Sequence, residues 1–407
     1  MTEEYKRLGA VVPADDERHK HLYSTPVGKQ TLVSNITVAN RGNSDQEVSV
    51  SVSIPLIGDD GLDFVPSPLF IAVSRDSTKS VTSFDGITWT QRTLPVRADW
   101  RSVVYGNNTF VTVATYTSIA ATSPDGITWT QRVLPVTTAW YSATYGNNTF
   151  VAISKASSIA ATSTNGITWT QRTLPASAAW HFVTYGNNTF VAVSTTSSIA
   201  ATSPDGITWT QRTLPVSATW RSVTYGNNTF VAVAYSSSIA ATSPDGITWT
   251  QRTLPANTTW RSVTYGNNTF LAITGSWSGG SIAATSPDGI TWTQRTLPVS
   301  ANWVSATYGN NTFVVLTVNS DLAASSTDGI TWTQSTLPVS ADWQPINYGV
   351  AALLPVPSKS TMLYQNFSIP ARSSEVLEPG IALSENNTIT VKGSENTTFS
   401  IYGVELS

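Results

Sequence analysis

The chain of 407 residues contains no cysteine, so neither a disulfide framework nor a thiolate metal site can form. Charge is scarce as well: Asp, Glu, Lys and Arg together supply 12% of the residues, and the formal net charge is -3. No basic stripe is present, which removes the electrostatic footprint of a nucleic-acid binder. No apolar run approaches the roughly 18 residues of a membrane span. The N-terminal MTEEYKRLGA lacks the apolar core of a secretory signal, so export through that route and membrane insertion are not expected. Glutamate is missing from the whole interior: Glu3, Glu4, Glu17 and Glu47 precede residue 57, and Glu375, Glu378, Glu385, Glu395 and Glu405 follow residue 355.

What fills that interior is repetition. The motif S-x-D-G-x-T-W, with Asn for Asp in the third copy, begins at Ser83, Ser123, Ser163, Ser203, Ser243, Ser286 and Ser326, at steps of 40 residues with one step of 43. A period in that range marks a propeller or a solenoid. Each unit holds four strand-like pieces; in the unit that opens at Trp220 they are WRSVTYG, TFVAVAY, SIAATS and ITWTQRTL. Asn227-Asn228 separates the first pair and Pro244-Asp245-Gly246 the second, both tight-turn chemistry. The fourth piece is expected to stop at its Leu-Pro, because proline cannot extend a ladder. Four strands per unit predict propeller blades.

Counting sets the blade number. The first strand opens at Trp100, Trp140, Trp180, Trp220, Trp260, Trp303 and Trp343, and the second carries Phe70, Phe110, Phe150, Phe190, Phe230, Phe270 and Phe313. The first copy lacks a first strand and the last copy has nothing else. One blade therefore takes three strands from the start of the insert and one from its end, which closes a seven-bladed ring and leaves no open edge.

Outside the repeats the texture changes. Residues 1–24 are polar and charged and read as an extended N-terminal arm. Period-two alternation in TLVSNITVANRG and QEVSVSVSIP predicts strands, and the segment after 355 supplies three or four more. Neither end has enough strands to stand alone. The chain thus reads as all-β: a split antiparallel β-sandwich, residues 25–56 and 356–407, interrupted by a propeller at 57–355.

Two resemblances sharpen this. LGAVVPA, HLYSTPVGKQTLVSNITVANRG and the late SIYGVEL resemble a small β domain of tailed-phage virion proteins. That likeness implies a structural virion component, anchored to other virion proteins through the sandwich and the arm, localised at the tail or capsid surface and homo-oligomeric, with a trimer as one stoichiometry. The S-x-D-G-x-T-W repeat is similar to the Asp-box of sialidase-like propellers, with one residue fewer between Asp and Gly. There the box is a structural turn whose Ser and Asp bond backbone and whose Trp packs between blades. The likeness carries that role to Asp85, Asp125, Asp205, Asp245, Asp288 and Asp328. Calcium is the sharper alternative, but one carboxylate per turn falls short of six to eight oxygens. No metal and no cofactor is expected.

Catalysis is not expected either. Glycosidases need two carboxyl groups facing one bond, and the insert has no glutamate while its aspartates sit mostly in turns. The arginine series Arg92, Arg132, Arg172, Arg212, Arg252 and Arg295 falls on the outermost strand, aimed at solvent. His19 and His21 lie in the arm, and His181 has no evident triad partners.

Binding is another matter. Strands run up and down, so the nearly invariant YGNNT and SPDGI turns share one face, and the other face carries the loops that differ between units. There the residue after the opening tryptophan is Arg101, Tyr141, His181, Arg221, Arg261, Val304 or Gln344. The candidate ligand site on this variable face is Tyr116, Tyr141, His181, Tyr235 and Trp277: aromatic side chains among Ser, Thr and Asn suit the rings and hydroxyls of a host cell-surface glycan. The N-x-T triplets at Asn107, Asn147, Asn187, Asn227, Asn267 and Asn310 are read as turn residues rather than glycosylation sites. The sequence alone points to a non-enzymatic virion protein for host attachment at a tail fibre or baseplate. A capsid cement protein that binds only virion subunits is the alternative, and a glycan-cleaving enzyme the remote one.

Overall fold

In a computed structural model of the chain, the backbone is described for residues 67–351 apart from 156, 277 and 278, and for the strands of the two ends; side chains are described for 68–350 with the same exceptions. Residues Val65–Leu354 form one compact unit, and Met1–Phe64 with Pro355–Ser407 form another.

Seven four-stranded antiparallel sheets make up the propeller, and the described residues hold no helix. Blade 1 is composite: Trp343–Ala351 pairs with Ser67–Ser74, followed outward by Ser77–Ser83 and Thr90–Ala98. Blades 2 to 7 open at Trp100, Trp140, Trp180, Trp220, Trp260 and Trp303 and run in chain order. The first strand of each is innermost, and that of blade 1 packs between those of blades 7 and 2, so the ring is closed.

Local chemistry explains the blade. The turn between the two inner strands places Asn227 at φ 43° and Asn228 at φ 55°. Two positive φ angles in a row define the hairpin turn that matches strand twist, and Asn tolerates them. Between the two outer strands, Ser203 Oγ donates to Asp205 Oδ1 at 3.0 Å, while Ile207 N and Thr208 N donate to the same oxygen at 2.8 and 2.9 Å. Gly206 sits at φ 73°, where a side chain would strain the backbone. Trp209 folds back so that Nε1 donates to Gly206 O at 2.9 Å, and its ring joins the apolar layer between blades 3 and 4. In blade 3 Asn165 takes the place of Asp, and its Oδ1 accepts the same two backbone N–H groups at 2.9 and 3.0 Å.

Two features of the outermost strand depart from expectation. It runs through the Leu-Pro in every blade except blade 3, where it spans Thr170–Thr173. The register slips across the proline: Ile119 faces Val133, then Thr117 faces Thr138. A bulged edge strand has no outer partner to satisfy, so the missing N–H costs no ladder bond. The arginines of this strand are half-buried rather than free in solvent: Arg212 Nε donates to Thr202 Oγ1 at 2.9 Å, and the same bond recurs in the neighbouring blades.

The blades are joined by devices that repeat around the ring. Asn187 Nδ2 donates to Pro244 O of the next blade at 3.2 Å, and Asn107, Asn147, Asn227, Asn267 and Asn310 do the same. The N-x-T asparagines are thus committed to interblade bonds. On the inner strands, Ser142 Oγ accepts from Val183 N at 3.1 Å, with equivalents at Ser102, Ser222, Ser262 and Ser305. Where Phe182 replaces serine, His181 Nδ1 meets Arg221 O at 2.9 Å; where Pro345 replaces it, Arg75 Nε bonds Asp99 at 3.1 Å across the same junction. Finally, Gly226 makes room for Tyr265 of the next blade, since a Cβ there would overlap the ring; Gly349 does the same for Tyr105 and closes the series.

At the ends, strands from both termini interleave. One sheet has the order Lys6–Val11, Thr397–Leu406, Gln30–Asn40, Ser374–Leu377, with Ile381–Leu383 also on Gln30–Asn40. The other has the order Lys20–Ser24, Thr388–Lys392, Gln46–Ser53, Thr361–Ile369. Residues 6–11 and 20–24, expected to lie in an extended arm, are edge strands here. The sandwich packing expected of residues 25–56 and 356–407 lies outside the described side chains.

Candidate functional site

The inner strands surround a cavity of about 220 Å³ on the ring axis. Because alternate residues of an inner strand face the axis, each blade contributes its second residue to one mouth, the mouth formed by the variable loops. Arg101, Tyr141, His181, Arg221, Arg261, Val304 and Gln344 all line the cavity. The position that varies between otherwise similar repeats is therefore gathered into one ring of side chains.

These side chains interlock from blade to blade. Arg75 bonds Asp342 in its own blade and Asp99 in the next, both at 3.1 Å, and Asp99 also receives Arg101 at 2.9 Å. The guanidinium of Arg101 lies 5.3 Å from the ring centre of Tyr141, and Lys155 Nζ lies 4.6 Å from it. Tyr141 contacts His181 with ring centroids 4.5 Å apart. Arg221 and Arg261 lie 5.2 and 5.5 Å from the ring centre of Tyr235. Arg261 Nε further donates to Gly275 O at 2.9 Å.

Charge is distributed unevenly around this mouth. The carboxylates that touch its cations, Asp99 and Asp342, belong to blades 2 and 1; the cations they bind are Arg75 and Arg101, and Asp342 also accepts from Gln344 Nε2 at 2.9 Å. Burial lowers the affinity of Arg75 for its proton, but Asp342 and Asp99 outweigh it and raise its pKa. Lys155, Arg221 and Arg261, on blades 3, 5 and 6, have no carboxylate partner among the described residues. Burial, and then the neighbouring Arg221, lower the pKa of Arg261. His181 is only 6% exposed, and its Nε2 makes no hydrogen bond within the protein. Burial, followed by Arg221 and Lys155, holds its pKa well below the ordinary histidine value, so the ring is neutral at pH 7.

The sequence-derived candidates divide accordingly. Tyr141 and His181 line the cavity in contact with one another, and Tyr235 lies outside its lining, under the lining residues Arg221 and Arg261. They are not open stacking platforms, because cations lie over both tyrosine rings and the histidine is buried. Tyr116 is 73% exposed at a turn and does not line the cavity. Trp277 lies outside the described residues. Asp85, Asp125, Asp205, Asp245, Asp288 and Asp328 sit in the turns of the opposite face, each accepting from two backbone N–H groups. No group of three or more potential metal ligands occurs among the described residues. Arg75, Lys155, Asp99 and Asp342 escaped sequence reasoning. The signal for them was their place next to the variable position, in loops that differ where the turns of the other face do not.

The fold and the site define a closed seven-bladed β-propeller with a polar, cation-rich channel mouth. Residues 97–229 match the family described as the DUF6242 beta propeller domain. No curated protein matches the sequence. Among solved structures, a streptogramin B lyase is 14% identical with a TM-score of 0.54, covering 66% of this chain and 94% of its own. A catalytically inactive virginiamycin B lyase from Staphylococcus aureus with quinupristin is 12% identical with a TM-score of 0.55, covering 74% of this chain and 99% of its own. At such identities the likeness is one of fold.

Proposed function

We propose that this chain is a non-enzymatic virion protein of a tailed phage, in which the β units of the chain ends attach to the particle and the propeller binds a host surface polysaccharide through its variable mouth. The observation that carries this is convergence: the inner-strand position that differs between near-identical repeats lines one cavity. Elsewhere the blades keep the same turns, the same interblade asparagines and the same buried tryptophans, as a scaffold would. Support for the virion assignment comes from the resemblance of the end segments to a phage β domain. Support for binding without catalysis comes from the cavity lining, whose titratable side chains are Arg101, Tyr141, His181, Arg221 and Arg261. A lining of that kind offers cations and hydrogen bonds but no pair of carboxyl groups for glycoside hydrolysis.

The test is immunogold labelling of intact phage particles that carry this chain, with serum raised against the full chain. Label at the tail or its fibres is the expected result. Label over the whole capsid shell would favour a cement protein, and unlabelled particles would refute the virion assignment.

A further inference from the structure

We propose that the mouth of the channel is an anion site, and that Arg221, Arg261 and Lys155 hold a carboxylate, sulfate or phosphate group of an acidic surface glycan. This deepens the binding role proposed above and rests on it for the identity of the glycan, though not for the anion itself. Three independent features lead here. First, the cations are arranged without the counter-charges that usually accompany half-buried arginines. Arg221 and Arg261 come from adjacent blades and share one aromatic ring, Tyr235, at 5.2 and 5.5 Å, while the mouth's carboxylates are taken up by Arg75 and Arg101 on the far side. Like charges drawn together in a partly desolvated place are costly unless something negative joins them.

Second, His181 is buried at the same mouth between Tyr141 and Arg221, and its Nε2 has no hydrogen-bonding partner in the protein. Because the neutral ring gives its Nδ1–H to Arg221 O, Nε2 is an acceptor, so what completes its bonding is a water or a glycan hydroxyl beside the anionic group, not the anion itself. Third, Arg221, Arg261 and His181 line a cavity of about 220 Å³, and Lys155 stands over the ring of Tyr141, itself a lining residue. That is below the roughly 300 Å³ at which drug-sized pockets begin, and suits one charged group entering end-on rather than a polymer lying across the mouth. A planar guanidinium matches carboxylate, sulfate and phosphate oxygens with paired N–H donors, and Lys155 adds a point charge.

The experiment is isothermal titration of the full chain at low ionic strength with sodium sulfate, inorganic phosphate and glucuronate, with glucose as the neutral control. Saturable binding of at least one anion, but not of glucose, is the expected result. Arg221→Gln and Arg261→Gln should each weaken it by about tenfold or more. Lys155→Gln, on a loop where folding is not at stake, should weaken it as well. Arg97→Gln removes the same charge from an exposed pair with Asp76 and should leave binding unchanged. Failure of all three anions to saturate overturns the proposal, as does equal weakening by Arg97→Gln, which would mean a general field and no site. Anion binding by a chain that ignores host polysaccharide would sink the attachment role and leave the site standing. Binding of neutral and acidic polysaccharide alike would do the reverse.

Discussion

Replacing Gly226 by alanine tests how the ring is held together, because its effect should change sign with one neighbour. Gly226 ends the inner strand of blade 5, and the ring of Tyr265 from blade 6 occupies the space a Cβ would need. Tyr265 has little freedom to retreat: its ring centre lies 4.7 Å from that of Phe270, which is fully buried. Forcing a methyl group into such packing costs about 1–3 kcal/mol. The φ of Gly226 does not lie in the left-handed region, so the backbone itself accepts alanine. In a Tyr265→Gly background both the ring and the Cβ behind it are gone, and the same substitution should stabilise by about 0.4–1 kcal/mol by restricting the unfolded chain. The double-mutant cycle should therefore return a coupling of about 1.5 kcal/mol or more. Urea unfolding followed by tryptophan emission measures it, with far-UV circular dichroism as a second probe to check that one transition is being observed. Equal destabilisation by Gly226→Ala in both backgrounds would refute the interlocking of blades through tyrosine and glycine.

The composite blade predicts that Trp343→Ala costs about 3–5 kcal/mol, as much as Trp220→Ala inside an ordinary blade, since both side chains are fully buried; a loss under about 1 kcal/mol in chemical unfolding would mean that Trp343–Ala351 does not complete the ring. The Asp turns predict an acid limb: in Asp205 and Asp245 burial pushes the carboxyl up, but bonds from the backbone N–H groups and the serine outweigh it and leave the pKa below the ordinary value. Their stabilisation is therefore full above the unfolded-state pKa of about 3.9 and lost as pH falls through the lower folded value. Asp205→Asn with Asp245→Asn should cost more stability at pH 7 than at pH 2.5, which thermal melts across that range would show; an equal cost at both pH values contradicts it.

The blade count was legible because each strand type carries its own marker: the tryptophan that opens the inner strand and the phenylalanine of the second are large, buried and regularly spaced. Closure followed from the unmatched pieces at the two ends. The course of the outermost strand was not legible, because a proline bars a ladder only where there is a partner to lose, and the edge position is a property of the sheet. The site was half legible. Repeats expose their own exceptions, so the residue after each opening tryptophan stood out. Ring type alone said nothing about what covers a ring, however, and the cations over Tyr141 and Tyr235 reach them from other strands and neighbouring blades. Arg75 lies 24 residues from Asp99, and Lys155 meets Tyr141 across the two inner strands of its blade.

The composite blade also has a consequence in time. Every other blade can form from about forty consecutive residues, and each can dock on the one before it. Ser67–Ser74 must wait for Trp343–Ala351, about 270 residues later. At the 5–20 residues per second of ribosomal synthesis, that wait is roughly 15–50 seconds. Throughout it, a strand of eight residues with the sequence SPLFIAVS presents an unpaired apolar edge. The nascent chain therefore carries a hazard of mispairing, with itself or with the chain on the next ribosome, at a strand that the closed ring leaves paired on both sides.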